Sequence, residues 1–324
     1  MDPSVEVVSE TPAVPTFQIA GFWRRVAALS VDALVLAIIG FPLGLLLGER
    51  IAPVCTPARL IGLPIIIFYF GALGSRLGKG QTPGKRLLGL RVVGANGQPL
   101  TLGRAFIRAT MLSLPWICNG IQFGVVGQVG LALTWVAGIL VFGGGGAIIG
   151  TYLLNRRTRQ ALHDIVVGSY VIQAEGIGLR APAVNTRNPM LASIVWACLV
   201  AVGMTAMMAI GPGFIAARVP RALMENVGAI PGATWFRINN GAVWGPGRSS
   251  KVLSAVLWYR GPQEDLRQVG QQVAAAMLQY YPDADSAPTL AVTIAHGWDV
   301  GIASMVSTKY YAHTPDKWRA ELGL

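Results

Sequence analysis

Charged residues are scarce in this sequence. Only 13% of its 324 residues are charged and 53% are hydrophobic, whereas a soluble domain has about 25% charged residues. The net charge is +11, but the basic residues occur in blocks between apolar runs instead of forming one binding face. This distribution is typical of membrane topology. We therefore expect a lipid bilayer, and not nucleic acid, as the main partner.

Histidine and cysteine are also few, with three of each. The cysteines lie far apart, which excludes a disulfide framework, and no histidine has a cysteine or glutamate at the spacing of a metal site. The sequence contains neither a Gly-x-Ser-x-Gly elbow nor a His-Glu-x-x-His pair. We therefore expect no enzyme activity, no catalytic residue, no metal and no cofactor.

Long apolar runs take the place of these motifs. A spanning helix needs about 20 largely apolar residues, and the sequence predicts a membrane all-α bundle of about five such helices. The predicted helices cover residues 26–48, 59–76, 107–127, 130–154 and 188–217. The run Ala109–Asn155 has no charge over 47 residues, which is about 70 Å of helix. It should be two crossings that turn within 119–130, with four helices in total as the alternative if 107–127 does not span.

The basic loops predict the orientation. The loop 76–108 holds seven basic residues and no acidic residue, and the segment 155–188 is also basic. Both should face the cytoplasm, since loops rich in Lys and Arg stay on that side. The N-terminus is then cytoplasmic, with residues 1–20 as a flexible tail, and the last helix places 218–324 outside. We expect a multi-pass protein of the cell membrane.

The C-terminal segment 218–324 predicts a small α+β domain with one antiparallel sheet. Strands are expected at 234–238, 252–259, 290–296 and 300–311, with helices over 264–281 and after Thr314. A tight connection at 297–299 should join the last two strands as a hairpin. Thr314 and Pro315 are suited to the N-cap and first turn of the final helix.

Three ordered motifs resemble the RDD family of bacterial membrane proteins. They are Gly21-Phe22-Trp23-Arg24-Arg25 with Asp32, the stretch 80–93 (GQTPGKRLLGLRVV), and Leu162-His163-Asp164 with the following Val171-Ile172. The resemblance covers about residues 20–173, so the segment 21–187 should be an RDD-like membrane domain, followed by the additional helix 188–217 and the C-terminal domain. The arginine and two aspartates of the family's name map to Arg25, Asp32 and Asp164. The resemblance implies transport of unidentified ligands, with monovalent cation/proton exchange described for some members.

Asp32 lies inside an apolar helix, where a carboxylate is costly unless it is paired or solvated. It is either part of an ion or substrate pathway or a polar clasp that orients the helices. Arg25 lies two helical turns earlier, about 10 Å away along the axis, too far for direct contact. We expect Arg25 to meet lipid phosphate or Asp164.

The loop around Lys85 lacks the spacing of a Walker phosphate-binding loop. We expect an interfacial segment, with the apolar side chains of 87–93 in the membrane surface and Lys85, Arg86 and Arg91 on anionic lipid headgroups.

Two functions are open at this point. In the first, the protein transports a small solute or ion, with Arg25, Asp32 and Asp164 on the pathway. In the second, it is a non-transporting scaffold or sensor whose C-terminal domain binds an envelope protein. A homo-oligomer fits either hypothesis.

Overall fold

The computed structural model describes residues 17–51, 57–121, 128–175, 187–216, 219–245, 248–262 and 265–324. The chain divides into two compact units. The first comprises Met1–Asp32, Phe68–Thr110 and Ile148–Ser193, and the second comprises Ala33–Ile67, Met111–Ala147 and Ile194–Leu324. The domain boundaries expected from the sequence stay a prediction. The N-terminal residues 1–16 lie outside the described part of the chain.

Helices dominate the segment before residue 217. They are α1 (Phe22–Ile51), a 3₁₀ turn (Pro57–Ile61), α2 (Gly62–Leu73), α3 (Pro83–Leu87), α4 (Leu102–Cys118), α5 (Gln128–Gly138), a π-helical stretch (Ile139–Gly144), α6 (Gly145–Leu154), α7 (Leu162–Val167) and α8 (Arg187–Ala216). The break between α4 and α5 lies within the predicted turn 119–130, of which residues 122–127 are outside the described part.

Three helices of the described chain are long and apolar enough to cross a membrane: Phe22–Gly48, Ala132–Leu154 and Arg187–Ala206. Pro57–Leu73 is a shorter apolar helix. Helix α4 is not among the candidates, and it carries two arginines, so the predicted count of five crossings is not confirmed.

Large apolar side chains are exposed along the candidate spans. Leu34 is 62% exposed, Ile38 64%, Leu46 83% and Ile149 62%. Exposure of these apolar side chains to water is unfavourable, whereas contact with lipid chains is favourable. The helices are therefore those of a membrane protein.

The first unit contains a two-stranded antiparallel sheet that the sequence did not predict. Strand β1 (Leu90–Gly94) pairs with β2 (Ser169–Gln173), and Val92 lies opposite Val171. Leu90, Val92 and Val93 are fully buried. The expectation that these side chains enter the membrane surface was wrong, because they form the core of a small folded module in which the second and third RDD-like motifs pair.

In the second unit, α8 packs on the segment that contains the π-helical stretch. A π-helix shifts the hydrogen-bond ladder by one residue, and here Trp196 Nε1 donates to the Phe142 carbonyl at 3.0 Å. The indole of Trp196 occupies the space where a side chain at Gly146 would lie. Glycine at position 146 therefore allows this close approach.

The C-terminal segment has a four-stranded sheet with the order β3-β4-β5-β6. Its elements are α9 (Arg221–Gly228), β3 (Ala233–Gly245), β4 (Arg248–Tyr259), α10 (Leu266–Tyr280), β5 (Leu290–Asp299), β6 (Ser304–His313) and α11 (Pro315–Leu322). The predicted all-antiparallel sheet was wrong, since β4 and β5 are parallel. The physical reason is that α10 crosses over between them, as a parallel connection requires.

The hairpin between β5 and β6 also differs from the prediction. Trp298 and Asp299 continue β5, and the turn falls at 300–303, where the Val300 amide donates to the Ala303 carbonyl at 3.0 Å. The predicted connection at 297–299 is therefore part of β5, while the predicted hairpin itself is present. The short final helix was confirmed, and the Thr314 hydroxyl caps it as predicted.

Candidate functional site

Asp32 is enclosed by protein groups of the first unit, and none of its surface is exposed. Tyr69 Oη donates to Asp32 Oδ1 at 2.8 Å, Thr82 Oγ1 to Oδ2 at 2.5 Å, and the Gly84 amide to Oδ1 at 2.8 Å. The Lys85 ammonium lies 4.0 Å from Oδ2. Hydrogen bonds to a carboxylate stabilise its charged form. The carboxylate thus joins α1 to α2 and to the start of α3.

Local sequence explains why α3 presents these donors to Asp32. Thr82 is the N-cap and Pro83 opens the helix, which is the preferred arrangement of a helix start. The first amides of a helix have no partner within it, so the Gly84 amide is free to bind the carboxylate. A side chain at Gly84 would collide with the Ala28 carbonyl oxygen. Glycine is therefore required where α3 meets α1.

Asp164 forms a second buried ionic contact in the same unit. Arg108 Nε lies 2.8 Å from Asp164 Oδ1, and Ser169 Oγ donates to the same oxygen at 2.7 Å. Burial by itself raises the pKa of Asp164, but Arg108 and the other nearby positive charges hold it below its ordinary value. The carboxylate is therefore ionised at neutral pH, and it joins α4 and α7 to the start of β2.

The hydrogen bonds of Arg25 go to backbone carbonyls. Its guanidinium donates to the backbone carbonyls of Ala20, Arg159 and Val171 at 3.2, 2.6 and 3.2 Å, and it stacks over the ring of Tyr152 at 5.5 Å. The positive charge of Arg25 also acts on the Asp164 carboxylate, in agreement with one of the two predicted partners, and the contact with lipid phosphate stays a prediction. Arg25 ties the N-terminal segment to β2 and to the connection that precedes α7.

Lys85 was predicted to bind lipid headgroups, but only 13% of its side chain is exposed. Burial lowers the pKa of Lys85 to about 8, and Arg108 lowers it as well, while Asp32 and Asp164 act in the opposite direction. Lys85 therefore lies within the electrostatic reach of both carboxylates. Arg86 is exposed, as a headgroup ligand would be, and Arg91 is half-buried on β1.

Sequence reasoning selected both aspartates but missed most of their partners, namely Tyr69, Thr82, Arg108 and Ser169. Thr82 had a usable signal, because Thr-Pro before a short basic segment is a helix start. Tyr69 and Arg108 had none, since nothing local in the sequence shows that they approach residues 37 and 56 positions away. Among the described residues, no group of three or more His, Cys, Asp or Glu side chains is placed to hold a metal ion.

His163 provides a pH-dependent test of this cluster. Burial lowers its pKa from 6.5 to about 4, against the opposing effect of Asp164. Between these values the unfolded chain binds more protons than the folded chain, so stability falls as the pH drops from 6.5 towards 4. We expect the free energy of unfolding to decrease between pH 7 and pH 5, by up to about 1.4 kcal/mol per pH unit below 6.5.

The free energy of unfolding would be measured for the detergent-solubilised wild type and for His163→Gln at both pH values. Glutamine keeps polar atoms at this position but does not titrate, so its curve should be flatter in this interval. Equal pH dependence in the two proteins would contradict the assignment of the effect to His163.

Apolar helices with lipid-exposed flanks and ionic contacts buried in the connecting segments define an integral membrane protein. Residues 19–168, called the RDD segment below, match the model of the RDD family, in agreement with the three motifs of the sequence. The chain is also 24% identical, over 155 residues, to the uncharacterized protein YckC of Bacillus subtilis (strain 168), a match that covers 48% of this chain and 85% of YckC. No solved structure matches the chain.

Proposed function

We propose that the RDD segment is a structural membrane anchor for the C-terminal domain, with no enzyme activity. The observation that supports this function is the environment of Asp32, which is fully buried and receives three hydrogen bonds from protein donors. An ion-coupled carboxylate must exchange its partners during transport, whereas a clasp keeps them. Asp164 is held in the same way by Arg108 and Ser169.

In this proposal the membrane is the cell membrane, the basic loops and the N-terminus face the cytoplasm, and the C-terminal domain lies outside. The exposed Arg86 contacts anionic headgroups at the cytoplasmic face. The anchored domain recruits an envelope protein or a second copy of the chain. Its sheet is mixed and has helices packed on it, which makes it a folded unit able to present a binding surface.

Monovalent cation/proton exchange is the second candidate function. The observation that favours it is Lys85, whose pKa is lowered to about 8 by burial beside Asp32. An ammonium with this pKa can release its proton near neutral pH. Loss of that proton would leave Asp32 with its three hydrogen bonds but without its nearest cation.

Flux measurements in proteoliposomes separate the two functions. A pH-sensitive dye inside the vesicles would report proton movement after a sodium or potassium gradient is imposed. We expect the wild type to show no flux above protein-free vesicles. If the wild type shows flux and Lys85→Met does not, the anchoring proposal is wrong and cation/proton exchange takes its place. Lys85→Met keeps a long apolar stem in the site, and size-exclusion chromatography would verify that it is folded.

The anchoring role has its own test on the full chain. Affinity purification after crosslinking in envelope membranes should recover the same specific protein with the wild type and with Lys85→Met. A variant that ends at residue 216 should lose that protein. Equal recovery by the truncated variant would contradict a partner of the C-terminal domain.

A further inference from the structure

The end of the β5–β6 hairpin packs along membrane helices within the second unit. Side chains at Gly40 and Gly44 of α1 would collide with Ile302 and Trp298 respectively. The ring of Trp298 also contacts Phe41, with 5.5 Å between ring centroids. The absence of side chains at the two glycines leaves a notch on α1, and the hairpin end fills it.

The position of this notch along α1 sets the depth of the hairpin. The candidate span is Phe22–Gly48, and a hydrocarbon core of about 30 Å takes about 20 residues of helix. If the core is centred on the span, it ends near Leu45. Gly40 then lies about 7 Å inside the hydrocarbon, at 1.5 Å per residue, and Gly44 lies at its edge.

The helix α2 gives an independent measure of the same depth. Gly62 lies five residues after the start of its apolar stretch Pro57–Leu73, and a side chain there would collide with the Val300 carbonyl. The hairpin end is thus beside the interior of two apolar helices, and not above their ends.

The chemistry of the hairpin end suits an apolar solvent. Its one acidic residue, Asp299, pairs with Arg59 at 2.8 Å and accepts the Gly301 amide at 2.7 Å. The turn closes its own backbone hydrogen bond between Val300 and Ala303. These contacts satisfy the charge of Asp299 and one backbone hydrogen bond of the turn without water, which a position at the lipid boundary favours.

Two apolar side chains of the hairpin are exposed at this level. Met305 pairs with Trp298 across the hairpin, and Val306 pairs with Gly297. Met305 is 46% exposed and Val306 is 51% exposed. Since Trp298 lies at Gly44, the exposed pair is level with the edge of the hydrocarbon core.

We propose that the end of the β5–β6 hairpin is embedded in the bilayer leaflet at the C-terminal end of α1, with Met305 and Val306 in contact with lipid. The C-terminal domain is then attached to the membrane by a second element besides α8. The occupant of the exposed surface is the acyl and glycerol region of phospholipid, because Met305 and Val306 lie level with Gly44, where the hydrocarbon core ends. This inference does not depend on whether the RDD segment transports an ion.

The test is depth-dependent fluorescence quenching of the full chain in phosphatidylcholine nanodiscs. Met305→Cys and Val306→Cys would each carry a bimane label in a background where Cys55, Cys118 and Cys198 are serine. Ser286→Cys is the control, because Ser286 is exposed and lies before the opposite end of β5. Lipids with a nitroxide on the upper acyl chain should quench position 305 or 306 severalfold more than position 286. Aqueous iodide should show the reverse order.

A second measurement needs no substitution. Wild-type protein in nanodiscs that contain an acyl-chain diazirine phosphatidylcholine would be irradiated and digested. Lipid adducts are expected on the peptide that contains Met305 and absent from the peptide that contains Ser286. Iodide quenching of 305 and 306 equal to that of 286, or irradiated protein without adducts at Met305, would overturn the proposal.

Discussion

Replacing Asp164 by alanine is expected to lower the free energy of unfolding by about 3–5 kcal/mol, which is the cost of leaving a buried charge without its partner. Arg108 is 8% exposed in its side chain and its Nε lies 2.8 Å from Asp164. Removal of the carboxylate would leave the guanidinium buried beside Lys85, whose positive charge already interacts unfavourably with Arg108. The lost attraction and the remaining repulsion both lower the free energy of unfolding.

The double variant Arg108→Met/Asp164→Ala is the matched control. It removes both charges, so no ion remains unpaired, and it should be more stable than Asp164→Ala alone. The free energies of unfolding of the wild type, the single variant and the double variant would be measured on the detergent-solubilised full chain. Sodium dodecyl sulfate would unfold each protein, and circular dichroism would monitor the loss of helix. A double variant less stable than the single variant would show that packing, and not charge pairing, is what Asp164 provides.

Gly84→Val is expected to be about as damaging, with a loss of about 3 kcal/mol, the upper end of the cost of overpacking. A side chain at this position meets the Ala28 carbonyl oxygen and lies 3.0 Å from the Asp32 carboxyl carbon. Neither is the movable end of a flexible side chain, so α3 must shift away from α1. That shift also weakens the hydrogen bond from the Gly84 amide to Asp32.

Gly103→Ala is the control for this substitution in the same unit. A side chain at Gly103 would meet nothing within 4 Å, and alanine is about 1 kcal/mol better than glycine inside a helix. The midpoint of thermal aggregation, measured by size-exclusion chromatography after heating, should fall for Gly84→Val and stay equal or rise for Gly103→Ala. Similar midpoints for the two variants would refute the close contact between α3 and α1.

Local patterns in the sequence were sufficient for several features of this protein. The apolar runs predicted α1 and α8, and the three motifs identified the RDD segment. The glycine-rich interval 119–130 predicted the break between α4 and α5. These features depend on residues that are close in the chain, where hydrophobicity and glycine content decide the structure without help from distant segments.

Local patterns could not predict that the second and third motifs pair as strands β1 and β2. The apolar side chains at 90–93 fit an interfacial segment equally well until β2 supplies a partner strand from residues 169–173. Likewise, β4 and β5 both have the composition of strands, but only the path of α10 makes them parallel. The composition of a segment indicates that its side chains are buried, but it does not indicate which element of the fold covers them.

The sequence by itself determined that lipid surrounds the long apolar helices, because enough apolar residues in a row exclude water whatever the remaining chain does. It also selected Asp32, since a carboxylate amid such residues is costly in any fold, whereas Asp164 was selected through the resemblance to the RDD family. Only the tertiary structure decided how that cost is met. Tyr69, Arg108 and the amide of Gly84 approach the carboxylates from elements distant in the chain. The energy of a buried charge depends on its distance from such partners.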